Sequence, residues 1–264
     1  MAAGFFQWSE VDSDGIRTSQ DLSIPGIAGE RPLRVWTPQT KPHALALFFD
    51  GQNIFGDQGT LAGGWHMHRY FEARQQAGQS VPLVVGLHHG PQRDQELSPF
   101  APFPDQPGRG AQVLNWVQST LIPELQNEFQ TPFATEANLI GGSSLGGLLA
   151  LYGLFHHREL FQRALVMSPA LWPDRFAIFQ DLMMCLPAEN AKIYLDHGQK
   201  EGPAEDPKQL GQILFEQSKL MADLLDVLGF APGERLLWHA DPEGEHNETA
   251  WRRRLPAALD FLLD

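Results

Sequence analysis

Gly142-Ser143-Ser144-Leu145-Gly146 sets a serine between glycines two places before and two places after it, where a short apolar run ends and a longer one begins. That spacing fits the G-x-S-x-G elbow, in which a strained strand-to-helix turn lifts a serine hydroxyl above a sheet, where it can attack an acyl carbon. The glycines have a steric role, since a Cβ at either position would strike the neighbouring strand or helix as the chain reverses. Ser144 is the candidate nucleophile. Ser143 is out of register with the pattern and reads as a structural hydroxyl.

A serine hydroxyl attacks well only when a base takes its proton and a third group holds that base in the right tautomer. Elbow enzymes place these in the chain order serine, acid, histidine. After Ser144, His156 and His157 follow the elbow helix and should lie far from the serine, and His239 ends the last apolar run. His246 sits in the polar loop between that run and the final helical pattern, where an imidazole can swing over the elbow. Placement favours His246 over His239. The acid belongs after the run Lys192 to Leu195, where Asp196 and Glu201 both qualify. The Leu145 N–H, directly after the nucleophile, supplies one oxyanion donor. A second is expected from Asp50-Gly51-Gln52-Asn53, as Gly51 or Gln52.

Such groups need strand ends to carry them. Ala44 to Phe49, Pro82 to Leu87, Asn138 to Ile140, Arg163 to Met167, Lys192 to Leu195 and Arg235 to Trp238 are unbroken apolar runs closed by turn residues, as in a parallel sheet covered on both faces. Amphipathic helical patterns lie between them, over Val113 to Leu125 and Leu210 to Val227, and a last one runs from Thr249 to Leu263. Ile16 to Ile24 and Leu33 to Trp36, separated by Pro25-Gly26-Ile27-Ala28-Gly29, predict an antiparallel hairpin at a sheet edge within residues 1–36. Segments 89–110 and 198–207 read as irregular loops. The expectation is a single α/β domain over 1–264, with a mostly parallel sheet of about eight strands flanked by helices on both faces. Ligands gather at the carboxyl ends of such strands, where each candidate residue falls.

The chain has 264 residues, 42% hydrophobic and 19% charged, with a net charge of −13. So acidic a surface opposes nucleic acid and anionic membranes as partners. One cysteine, Cys185, excludes an internal disulfide and a cysteine-rich zinc pattern. The N-terminus lacks a basic, then apolar, leader and no run is long enough to span a bilayer, so a cytoplasmic location is expected. His66-x-His68 and His88-His89 prompt a metal reading, which is set aside because adjacent strand residues face opposite ways. No metal or cofactor is expected.

Read in order, the chain resembles the esterase family of α/β-hydrolases that includes esterase D, enterochelin esterases and feruloyl esterases. The resemblance rests on Phe48 to Asn53, Arg93-x-x-Glu96-Leu97-Ser98-Pro99-Phe100, Leu121-Ile122-Pro123-Glu124-Leu125, the elbow, Ser168-Pro169-Ala170-Leu171-Trp172, Gly198-Gln199-Lys200-Glu201, and His246 with Trp251-Arg252-x-x-Leu255-Pro256. It implies an α/β-hydrolase fold and hydrolysis of a small-molecule acyl ester by a Ser144–Glu201–His246 triad. Its G-x-x-D/E segment selects Glu201, with Asp196 the alternative, and it favours Gln52 as the second oxyanion donor. Arg93 and Glu96 are expected to form an ion pair holding the long loop, with substrate contact by Arg93 the alternative. Gly51, Asn53, Trp65, His89, Arg93 and Trp172 are the expected lining of the substrate pocket. An acyltransferase and a catalytically silent binding protein on the same fold are the competing readings.

Overall fold

The continuous apolar runs become strands in a computed structural model that describes residues 4–57, 60, 62–185, 187–202 and 209–264. In chain order the strands are β1 (Ile16–Thr18), β2 (Leu22–Ser23), β3 (Glu30–Arg31), β4 (Leu33–Trp36), β5 (Leu45–Phe49), β6 (Leu83–Leu87), β7 (Leu139–Ser143), β8 (Arg163–Met167), β9 (Lys192–Gly198) and β10 (Leu236–Asp241). The helices are α1 (Met67–Gln76), α2 (Arg93–Glu96), α3 (Gly110–Trp116), α4 (Ile122–Glu128), α5 (Leu145–His156), α6 (Pro173–Met183), α7 (Gln209–Val227) and α8 (Glu248–Leu263).

Eight strands form one sheet in the order β1-β4-β6-β5-β7-β8-β9-β10, and β2 and β3 make a separate ribbon. From β6 to β10 every neighbouring pair is parallel, whereas β4 runs against both β6 and β1. This is an α/β-hydrolase fold, with β1 and β4 as the antiparallel pair at its edge. The predicted strand Ile16 to Ile24 is in fact divided: β1 joins the large sheet, and β2 turns away to pair with β3.

Side-chain alternation along the strands divides the interior into two cores. Leu45, Leu47 and Phe49 enter one core with α3 to α7, while Ala46 and Phe48 enter the other with α1 and α8. The run Val113 to Leu125 is interrupted by a π-helical turn at Val117–Leu121, which joins α3 to α4 just before Pro123. Pro123 has no N–H to give to a regular helical ladder, so a widened turn is an economical solution there.

Two strands run further than their apolar residues predict. β9 continues through Asp196, His197 and Gly198, and β10 through His239, Ala240 and Asp241. Polar residues at strand ends are invisible to an apolar count, yet their backbones still pair. His239 therefore lies inside β10 rather than at its end. The expected loop 198–207 begins with the last residue of β9, and its residues 203–207 lie outside the described residues. Among the described residues no helix is long and apolar enough to cross a membrane.

Candidate active site

The elbow forms where β7 meets α5. Ser144 has φ 55° and ψ −124°, a left-handed backbone that costs a non-glycine residue energy and persists only when its surroundings enforce it. Two bonds do so: Ser144 N–H donates to Met167 O on β8, and Ala170 N–H donates to Ser144 O. A Cβ on Gly142 would stand 2.6 Å from the Gly146 backbone, so the turn closes only around glycine. Leu145 opens α5, and its N–H has no carbonyl four residues back within the helix to satisfy it.

Across the sheet, β5 ends at Phe49 and the chain turns sharply at Asp50, φ 52°. Gly51 is pressed against β6, where an added Cβ would lie 2.3 Å from the Gly86 carbonyl carbon. Its N–H donates to Leu87 O, so it is unavailable to an oxyanion, and Gly51 backs the pocket rather than lining it. Gln52 does border the cavity, and its N–H makes no hydrogen bond among the described residues.

Arg93 grips the Asp50 carboxylate with both prongs of its guanidinium, Nε to Oδ1 at 2.9 Å and Nη2 to Oδ2 at 2.6 Å. The expected Arg93–Glu96 pair is thereby corrected. Glu96 instead accepts from Gly90 N–H and pairs with Arg31 Nε at 3.3 Å, both side chains fully buried. One turn of helix thus holds two different segments, the Asp50 turn through Arg93 and Gly90 and Arg31 through Glu96.

The acid and the base meet at the same carboxyl end of the sheet, just beyond β9. Glu201 is buried, and its Oε2 stands 2.8 Å from His246 Nδ1. Glu201 Oε1 accepts from Ser168 Oγ and from Gly198 N–H, each at 2.6 Å. Burial alone would raise this carboxyl, but His246, His197 and Ser168 together hold it below the usual carboxylate range. The ionised acid fixes the imidazole with Nδ1 protonated, leaving Nε2 to accept a proton. Trp251 stands edge-on to the His246 ring, centroids 5.0 Å apart.

Asp196, the alternative acid, belongs to another set of contacts. It takes Arg254 Nε at 2.9 Å, Tyr194 OH at 3.0 Å and Ser168 N–H at 2.9 Å. Burial raises its carboxyl against the pull of Arg254. Sequence reasoning named neither Arg254 nor the role of Ser168. Ser168 Oγ accepts from Trp251 Nε1 and Arg254 Nη2 while donating to Glu201, so it joins α8 to the acid. The i, i+3 spacing of Trp251 and Arg254 on one face of a helix was the available signal.

Ser144 and His246 open onto one cavity of about 780 Å³, together with Asp50, Gln52, Asn53, Ala62, His88, His89, Arg93, Ser143, Asn247, Glu248 and Trp251. The Ser144 hydroxyl makes no hydrogen bond among the described residues, a state common in hydrolases without substrate. Asn53, His89 and Arg93 are where expected. Trp65 and Trp172 are not: Trp65 is buried at 2% exposure against Trp251, and Trp172 packs on Phe103. For Trp65, burying the ring outweighs presenting it to solvent, while the half-buried Trp172 is held by another ring outside the cavity.

Comparison with known proteins follows the same lines. The profile of the Esterase family, described as Putative esterase, matches residues 28–262. The siderophore triacetylfusarinine C esterase of Aspergillus fumigatus is 31% identical over 102 residues, 38% of this chain and 34% of that protein. The siderophore hydrolase EstA of Aspergillus nidulans superposes with a TM-score of 0.72 at 16% identity, covering 94% of each chain. The enterobactin esterase FES of Shigella flexneri superposes with a TM-score of 0.68 at 21% identity, covering 98% of this chain and 59% of its own. This chain thus spans little more than half of the bacterial esterase and about a third of the first fungal one.

Proposed function

The chain belongs to the Esterase family and is a carboxylic ester hydrolase, and from that premise we propose that it works as a serine esterase through an acyl-enzyme on Ser144. The observation that carries the reading is the buried Glu201 carboxylate 2.8 Å from His246 Nδ1, with His246 and Ser144 on one cavity. His246 Nε2 takes the Ser144 proton as Oγ attacks the ester carbonyl, and the imidazolium that forms is stabilised by Glu201. The charge developing on the carbonyl oxygen is received by the Leu145 and Gln52 N–H groups, the first aided by the α5 dipole. His246 then gives its proton to the leaving alcohol, and water activated by the same nitrogen releases the acid. The cavity opens to solvent, which favours water over another acyl acceptor.

Similar proteins named for siderophore esters suggest a bulky, polar substrate. The cavity is compatible with this, because Gln52 and His88, which line it, each carry a buried polar atom, Oε1 and Nε2, that has no hydrogen-bond partner among the described residues. Such groups gain when a ligand satisfies them.

A fluorophosphonate serine probe tests the mechanism. It should label the wild type and not Ser144→Ala, whose turnover on a p-nitrophenyl ester should fall by about 10⁴-fold or more. His246→Ala should lose most turnover while His239→Ala keeps it. Equal labelling of wild type and Ser144→Ala would remove Ser144 from its role. The substrate class is tested by comparing triacetylfusarinine C and enterobactin with long-chain p-nitrophenyl esters; a preference for the long acyl chains would exclude the polar reading.

A further inference from the structure

At the far end of the elbow helix, three different donor atoms converge. His156 is the last residue of α5, Asp181 lies in the last turn of α6, and Cys185 follows two residues after that helix. Their ligand atoms all lie within 4.8 Å of one another. His156 Nε2 is 2.7 Å from Asp181 Oδ2 and 3.5 Å from Cys185 Sγ. The imidazole is oriented independently of them, stacked on Tyr152 at 4.0 Å with 19° between the planes, and Tyr152 is itself held edge-on by Phe100.

We propose that His156, Asp181 and Cys185 form a binding site for a divalent transition cation of the zinc type, with water completing its coordination. One nitrogen, one oxygen and one sulfur are the donor types that zinc takes, and three protein ligands with an open position are a common count. Bonds of about 2.0–2.3 Å in tetrahedral geometry put ligand atoms roughly 3.3–3.8 Å apart. The nitrogen–sulfur separation already meets this. The nitrogen–oxygen pair must open slightly as the metal replaces the proton between them, a movement within the freedom of a partly exposed aspartate side chain.

The thiolate selects among cations. Sulfur disfavours magnesium and calcium and favours zinc and its neighbours. Burial and the Asp181 carboxylate push the Cys185 thiol up, so the resting thiol keeps its proton. Cation entry forms a metal–sulfur bond, breaks the sulfur–hydrogen bond and releases that proton to water, with no change of oxidation state. The site takes no part in ester cleavage. The 12 residues of α5 at about 1.5 Å each separate it from the elbow by most of the helix. Its effect is to tie α6 to the helix that carries the nucleophile.

Cys185 is the only cysteine in the chain, so a thiol reagent reads this site alone. With chelator-treated protein, stoichiometric Zn²⁺ should slow the reaction of Cys185 with dithionitrobenzoate at least about tenfold, because a metal-bound thiolate is no longer free to attack the reagent. Excess Mg²⁺ should not slow it. Co²⁺ should give thiolate-to-cobalt charge-transfer absorption that saturates at one ion per chain and is absent in Cys185→Ser. His156→Gln and Asp181→Asn should each weaken the protection by a similar factor. Metal-free ester hydrolysis should be unchanged in Cys185→Ser, so this test and that of the Ser144 mechanism succeed or fail separately. Unchanged labelling in Zn²⁺, or protection that survives in both His156→Gln and Asp181→Asn, would overturn the site.

Discussion

Glu201 and Asp196 are five residues apart and both buried, yet their surroundings assign them opposite work. Asp196 is locked to Arg254 and Tyr194, whereas Glu201 keeps one oxygen for His246. Glu201→Gln should therefore lower kcat by about 10⁴-fold, as expected when the imidazole loses the carboxylate that fixes its tautomer. Asp196→Asn should act on stability, costing about 1–3 kcal/mol by removing the carboxylate nearest the buried Arg254, which keeps Asp241 and Glu201 as further partners. Paired kinetics and urea melts on the two variants decide it, and a kcat loss confined to Asp196→Asn would reverse the assignment. From sequence, residue types and chain order pointed to Ser144, His246 and two acids, and the family resemblance selected Glu201; the contacts that engage Asp196 instead come from Arg254, on a helix late in the chain, and leave no local signal. A pH test belongs at this scale too. His88 is pushed down to about 4, chiefly by burial and further by Arg34 and His89, against the opposing pull of Asp50. Unfolded, it takes a proton near pH 6.5; folded, it refuses one until about pH 4. Its contribution is thus intact above 6.5 and is lost as pH falls toward 4, by up to roughly 3 kcal/mol. His88→Gln cannot titrate, so its urea midpoint should gain on the wild type steadily between pH 7 and 4. Parallel midpoints across that range would contradict the buried, neutral imidazole.

Elements were legible where their apolar residues ran unbroken and obscure where packing overrode pattern. All six continuous runs became parallel strands of the sheet; β5 to β9 are covered on both faces and need apolar residues throughout, while β10, at the edge, is half-buried. α1 and α6 gave no such signal. α6 even begins with Asp174, Arg175 and Phe176 in the left-handed region, a conformation no periodicity encodes. The helix α7 is the instructive case. Its leucine-rich stripe suggested the buried face, but Leu210, Ile213, Leu220 and Val227 are exposed, and Gly211, Ser218, Met221, Ala222 and Leu225 face the sheet. Small residues allow α7 to approach closely; a Cβ on Gly211 would sit 2.8 Å from the Gly202 backbone. Met221→Ala should accordingly cost about 2–5 kcal/mol, and Leu220→Gln should stay within about 0.5 kcal/mol of wild type. Thermal or urea unfolding of the two gives the answer, and the opposite ranking would place the leucine stripe inside.

At the scale of the molecule, the sheet collects groups from β5, β7, β9 and the loop before α8 at the carboxyl ends of its strands, and the chain order of these motifs made the family legible from sequence alone. Loop surfaces were less legible, since the packing of Trp65 on Trp251 and of Trp172 on Phe103 depends on neighbours far along the chain. Charge is the molecular property that still bears on substrates. A net charge of −13 sets up a repulsive field for anions that reaches about 30 Å at 0.01 M salt and only about 8 Å at 0.15 M. Within the pocket, Arg93 offers little to offset it, because its guanidinium is already engaged by both Asp50 oxygens, and Glu248 adds a further acid to the lining. An anionic ester should therefore be slowed on approach, while a neutral ester of the same size should not. Raising salt from 0.01 to 0.15 M should increase kcat/KM for the anionic ester several-fold and leave the neutral one unchanged, with kcat steady for both, since the field acts on encounter rather than on bond cleavage. A fall for the anionic ester would mean that Arg93 outweighs the rest of the surface, making the cavity an anion trap on an acidic protein.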